Sequence, residues 1–148
     1  MRLRKKVAAL MIAVIMATSV QTFAASTNGV NKIVTVAKGA QLKGTLAPEV
    51  RIQLKDNLKK GQEFFLVLEN AEWVDNVEVQ LGSSADFSFE RENKTKLVVE
   101  AKKDIVASTT SYGIPLFVKA TGGEAKVEII SNDTVITGGK YIFAIANE

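Results

Sequence analysis

The side chains of this sequence that could do chemistry are almost all carboxylates. Glu69, Glu72, Asp75 and Glu78 lie close together, and Glu90 and Glu92 form a second set. Two facing carboxylates can hydrolyse a glycosidic bond, one as acid and the other as base or nucleophile. Here both sets interleave with apolar residues at strand spacing, as a solvated strand face does, and Asp and Glu are mostly surface residues. The same oxygens could bind calcium. No D-x-D-x-D-G loop is present, however, and Ser131-Asn132-Asp133 is short enough to be only a turn.

The residue inventory closes the other routes. There is no His and no Cys, and the methionines are Met1, Met11 and Met16. That leaves none of the nitrogen and sulfur ligands that copper, zinc and iron sites use. It also removes the commonest general base and the thiolate nucleophile. The expectation is a protein that is not an enzyme, with no catalytic residue, no metal site and no cofactor.

Rings could instead bind sugars by stacking, and Trp73, Tyr112 and Tyr141 are the candidates. Trp73 shares parity with Val77, Val79 and Leu81, and Tyr141 shares it with Phe143 and Ile145. Both therefore read as core, as do the same-face neighbours Phe87 and Phe89. Tyr112, beside Gly113 in an expected loop, is the one aromatic placed near solvent and the one candidate ligand contact. Asn93-Lys94-Thr95 and Asn132-Asp133-Thr134 match the glycosylation sequon. The bacterial character of the N-terminus makes both incidental.

That N-terminus differs from the rest. Arg2, Arg4, Lys5 and Lys6 precede an apolar run from Val7 to Val20, and Thr22-Phe23-Ala24 follows with small residues at the peptidase positions. This is the order of a secretory signal, read here as residues 1–24 with cleavage between Ala24 and Ala25. The rival is a membrane anchor, but the run is 14 residues and a spanning helix needs roughly 20. The expected location is secreted, extracellular or associated with the cell surface, with no membrane contact after cleavage.

Cleavage changes the electrostatics. The full chain is +3 at pH 7, but all four basic residues of the leader go with it, leaving 15 basic and 16 acidic residues, a net −1. The basicity belongs to export, so nucleic acid is not an expected partner. About 124 residues remain, enough for one domain that buries about two-thirds of its unfolded surface. Without cysteines that core has to suffice unaided, and no lipid can be attached through one.

From Lys32 the apolar period is two. Ile33, Val34 and Val36 open it, and Val50, Ile52 and Leu54 alternate with Arg51, Gln53 and Lys55. Glu63 to Glu69 reads EFFLVLE, a central strand, and further strands are expected at 73–81, 87–90, 97–99, 114–118, 127–130 and 141–145. Lys60-Gly61, Gly82-Ser83-Ser84, Glu92-Asn93, Thr121-Gly122-Gly123 and Gly138-Gly139 supply the turns. Eight to ten short strands at this spacing predict an all-β, two-sheet sandwich after a signal-peptide helix. The organisation expected is a lead-in with a first strand over 25–39 and one sandwich domain over 40–148.

APEVRIQLKDNLKKGQEFFLVLENAEW from Ala47, then KTKLVVEAKKDIVASTTSYGIPLFVKATGGEAKVEII, and a closing YIFAIANE together resemble a module of bacterial cell-surface proteins. That module often lies beside the stalk-like "copper amine oxidase N-terminal" domain. The resemblance covers roughly residues 40–148 and rests on strand pattern. It implies a surface-exposed immunoglobulin-like or cohesin-like sandwich with no assigned chemistry, and no copper site. The sequence departs from the usual arrangement in carrying no stalk domain before Glu148, which puts wall tethering in doubt.

These readings predict a secreted or cell-surface, non-enzymatic structural or interaction module. Its partners would be other extracellular or cell-wall proteins, or copies of itself. The alternative is an extracellular carbohydrate-binding module with a polysaccharide partner. The segment Asn31 to Ala37, just after the leader, is expected to be the sandwich's own first strand, or else a strand lent to a neighbour's sheet edge.

Overall fold

The computed structural model describes residues 29–82, 84–107, 112–132 and 136–147, so the leader, Ala24 and Ala25 lie outside the described residues. The chain is all-β and sandwich-like. Its strands are β1 (Gly29–Val30), β2 (Val34–Ala37), β3 (Glu49–Ile52), β4 (Glu63–Glu69), β5 (Ala71–Trp73) and β6 (Phe87–Arg91). They continue as β7 (Lys96–Ala101), β8 (Tyr112–Pro115), β9 (Val118–Ala120), β10 (Gly123–Ser131) and β11 (Gly139–Asn147). A single helix, α1 (Val77–Leu81), and a 3-10 turn at Gly44–Leu46 complete the described elements.

The main sheet runs β2-β11-β10-β4-β7-β6, a smaller one runs β1-β3-β8, and β5 pairs with β9 alone. The third ladder was not expected, and it takes the strand count past ten. One core draws on all three ladders. Phe64, Leu66 and Leu68 of β4 and Val127 and Ile129 of β10 join Val50 and Ile52 of β3, Ile114 of β8 and Trp73 of β5. The strict alternation of β3 and β4 follows from sheets that are wet on one face and packed on the other. Among the described residues no polar or charged side chain is buried, so apolar burial is the main source of stability.

Four departures from the expected pattern have local causes. Trp73 to Leu81 was expected as one strand, but β5 stops at Trp73 and Val77–Leu81 is helical. Val77 and Leu81 are four apart, so they lie on one face of the helix. Val77 is buried there, Leu81 packs partly against the core, and Val74, ahead of the helix, is buried too.

In β11 the register against β10 shifts between Ala125 and Lys126. This bulge inserts one extra residue and reverses the facing beyond it. Phe143 and Ala144 are both buried, while Ile145 is 38% exposed, so Ile145 leaves the core face it was expected to share with Tyr141 and Phe143. The run from Ile114 to Val118 splits as well. β8 ends at Pro115, which has no N–H for a ladder, and the Leu116 amide turns to the Pro48 carbonyl at 2.8 Å. Finally, Ile33 precedes β2 and is exposed.

β2 pairs in parallel with β11 of its own chain, Val34 opposite Ala144 and Ala37 opposite Asn147. The described chain therefore starts on the small sheet with β1, crosses to the main sheet at β2, and closes one edge of it.

Candidate functional site

Tyr112 opens β8 opposite Ile52 and is half-buried. Its ring meets Phe87 edge-on, with centroids 5.0 Å apart, and Phe87 meets Phe64 in the same way at 5.9 Å. The Tyr112 hydroxyl donates a hydrogen bond to the Asp86 carboxylate. Burial first, and then the Asp86 charge and this hydrogen bond, raise the phenol above its ordinary 10.0. Asp86 also pairs with Lys103 at 3.3 Å. The nearby Lys102 ammonium donates to the Ser84 carbonyl at 2.8 Å.

The result is a half-buried ring with a polar rim at one end of the sandwich. A phenol held protonated beside a carboxylate that already has its cation can donate a hydrogen bond and offer a ring edge. Asp86 and Lys103 were not among the sequence candidates, because only the pairing of β6 with β7 and the end of β8 bring them to Tyr112. The other candidate rings lie elsewhere. Trp73 is 2% exposed and its indole N–H donates to the Leu66 carbonyl at 3.3 Å, while Tyr141 packs partly against the core.

The sequence carboxylates are engaged at separate points, except that Asp75 and Glu78 both meet Arg91. Glu69 pairs with Lys140 at 2.7 Å, and that lysine's hydrogen bond and charge hold the Glu69 carboxyl below its ordinary value while Lys140 moves up in return. Glu72 faces outward on β5, opposite Lys119 of β9 in the ladder register. Asp75 takes the Arg91 guanidinium at 2.9 Å, and Glu92 lies 3.6 Å from Lys96. Glu78 accepts the Arg91 amide at 2.8 Å, while Glu90 stands on β6 opposite Val98. Among the described residues no group of three or more Asp or Glu could hold a metal ion. Asn93 closes its own turn by accepting the Thr95 and Lys96 amides.

The outward face of the main sheet carries an apolar row that sequence parity alone left unassigned. Ile130 of β10, Phe65 of β4 and Val98 of β7 are register neighbours. Lys96 places its ammonium 4.3 Å from the centre of the Phe65 ring, a cation–π contact that shields part of the row. Ile130 remains 37% exposed. Comparison with protein-family models, with curated proteins and with solved structures gave no match.

Proposed function

We propose that this chain is a secreted or cell-surface structural or interaction module and not an enzyme. The observation that carries this reading is how the candidate carboxylates are engaged. Glu69, Asp75, Glu78 and Glu92 each answer a cation or an amide of their own chain, Asp75 and Glu78 both at Arg91. The residue inventory supports it too, since a sequence without His or Cys lacks the usual base, thiolate and soft metal ligands. The immunoglobulin-like or cohesin-like identity suggested by the strand pattern belongs to the same proposal.

On this reading the chain is exported through its leader, and its surface acts by contact. Ile130 with the half-covered Phe65 beside it, and the Tyr112–Asp86–Lys103 rim, are the surfaces offered. Intact mass and cell fractionation test the export half. Produced with its leader in a bacterial host, the chain should appear outside the cytoplasm starting at Ala25. A cytoplasmic product that still starts at Met1 or Arg2 would overturn it.

A further inference from the structure

The free edge of β6 is the second edge of the main sheet. The Lys102 amide bonds the Asp86 carbonyl and the Glu92 amide bonds the Lys96 carbonyl, which fixes the even residues of β6 as those bonded to β7. The N–H and C=O groups of Phe87, Phe89 and Arg91 therefore point away from the sheet. Edges of this kind template pairing with another strand unless they are covered.

Side chains cover this one. Glu78 of α1 takes the outward Arg91 amide at 2.8 Å, and the Ser84 hydroxyl takes the Phe87 amide at 3.3 Å. Arg91 in turn holds Asp75, just before α1, at 2.9 Å. The cover is weakly anchored. α1 has five residues, far below the length at which a helix is stable alone. Within it only Val77 is fully buried, and the Asp75 side chain in its ion pair is 98% exposed, where such a pair adds little.

We propose that β6 is a self-pairing edge for a second copy of this chain, held shut by α1 through Glu78. An isologous pair about a two-fold axis centred on Phe89 uses the three outward residues on each side. It sets Phe87 opposite Arg91 and Phe89 opposite itself. On the outward face Ser88 then meets Glu90, so no like charges oppose at the centre. Asp86 and Glu92 meet at the ends, where each already carries its own lysine, Lys103 and Lys96. Registers shifted by one pair to either side set Ser88 against Ser88 or Glu90 against Glu90 and lose this match. The inference deepens the interaction reading by naming a partner, and turnover or export assays do not bear on it.

The chain has no cysteine, so an equal mixture of Ser88→Cys and Glu90→Cys chains reports the two-fold register through a mixed intermolecular disulfide, whereas either chain alone cross-links only in a shifted register. This mixture is tested in the full chain with Glu78 and Ser84 intact, and again with Glu78→Ala/Ser84→Ala. With the guard intact the protein stays monomeric in sedimentation velocity. With the guard removed, dimer forms at a concentration at least about tenfold lower, and mild oxidation yields a covalent dimer that reducing agent dissolves. A guard-free chain that stays monomeric without cross-link overturns the proposal, and equal cross-linking in the guarded chain overturns the guard. If Glu78→Ala/Ser84→Ala does not fold, Glu78→Gln serves instead. It keeps an acceptor oxygen but loses the stronger charged bond, and intermediate dimerisation is then expected, with none overturning the proposal.

Discussion

Glu78 accepts the backbone amide of Arg91 at 2.8 Å, tying a five-residue helix to the free edge of the main sheet across thirteen positions of sequence. Glu78→Ala should lower stability by about 1.5–3 kcal/mol, the range for hydrogen bonds to charged groups. Glu78→Gln should recover most of that. Urea unfolding midpoints check both, and equal losses in the two variants would contradict a role for the acceptor oxygen.

Trp73 is the chain's one tryptophan and is almost fully buried with its indole bonded to the Leu66 carbonyl. Its emission should be blue-shifted in the folded protein and move red on unfolding. Trp73→Ala should cost about 3–5 kcal/mol, as large core truncations do. A solvent-like native emission maximum would place the ring on the surface, where a sugar platform would need it.

Tyr112 makes a pH prediction. Its folded pKa lies above the unfolded 10.0, through burial first and Asp86 second. The stabilisation is therefore fully present below pH 10 and fades as pH rises through the folded value. Thermal melts from pH 8 to 11 should show a shallower alkaline decline for Tyr112→Phe than for the parent. Parallel declines would remove Tyr112 from the account.

β2 makes a stability prediction. Val30 and Val34 are buried, and β2 closes the edge of β11 in parallel. A chain starting at Lys38 loses both valines and the ladder, and should be less stable by about 3–5 kcal/mol, taking each buried valine at its usual worth. It should also be more prone to associate through the bared β11 edge. An unchanged unfolding midpoint would mean that β1 and β2 together add nothing to the fold.

How far the sequence foretold this molecule depended on how local the cause was. Strands β3, β4 and β10 are legible because alternation is written within each one, as is the burial of Phe87 and Phe89 in β6. Trp73, by contrast, is buried although the residues that shared its parity turn into a helix. The helix at Val77–Leu81 was hidden because VDNVEVQL satisfies both a two-residue and a three-to-four-residue period. Ile145 was misplaced because β11 bulges at Phe143, opposite Ala125 and Lys126 of β10, and reverses which way it faces. The Tyr112–Asp86–Lys103 cluster and the Glu78–Arg91 clasp join residues distant in sequence, so only strand order could reveal them. The parallel pairing of β2 with β11 links the two ends of the described chain and leaves no mark in either segment.

The central claim is that the exported chain acts by contact and not by catalysis. The most direct test is turnover by the chain from Ala25 onward, assayed against glycosidase, peptidase and esterase substrates. The account predicts no rate above the buffer blank for any of them. Reproducible turnover that disappears in Glu72→Gln, with folding intact by Trp73 emission, would contradict it.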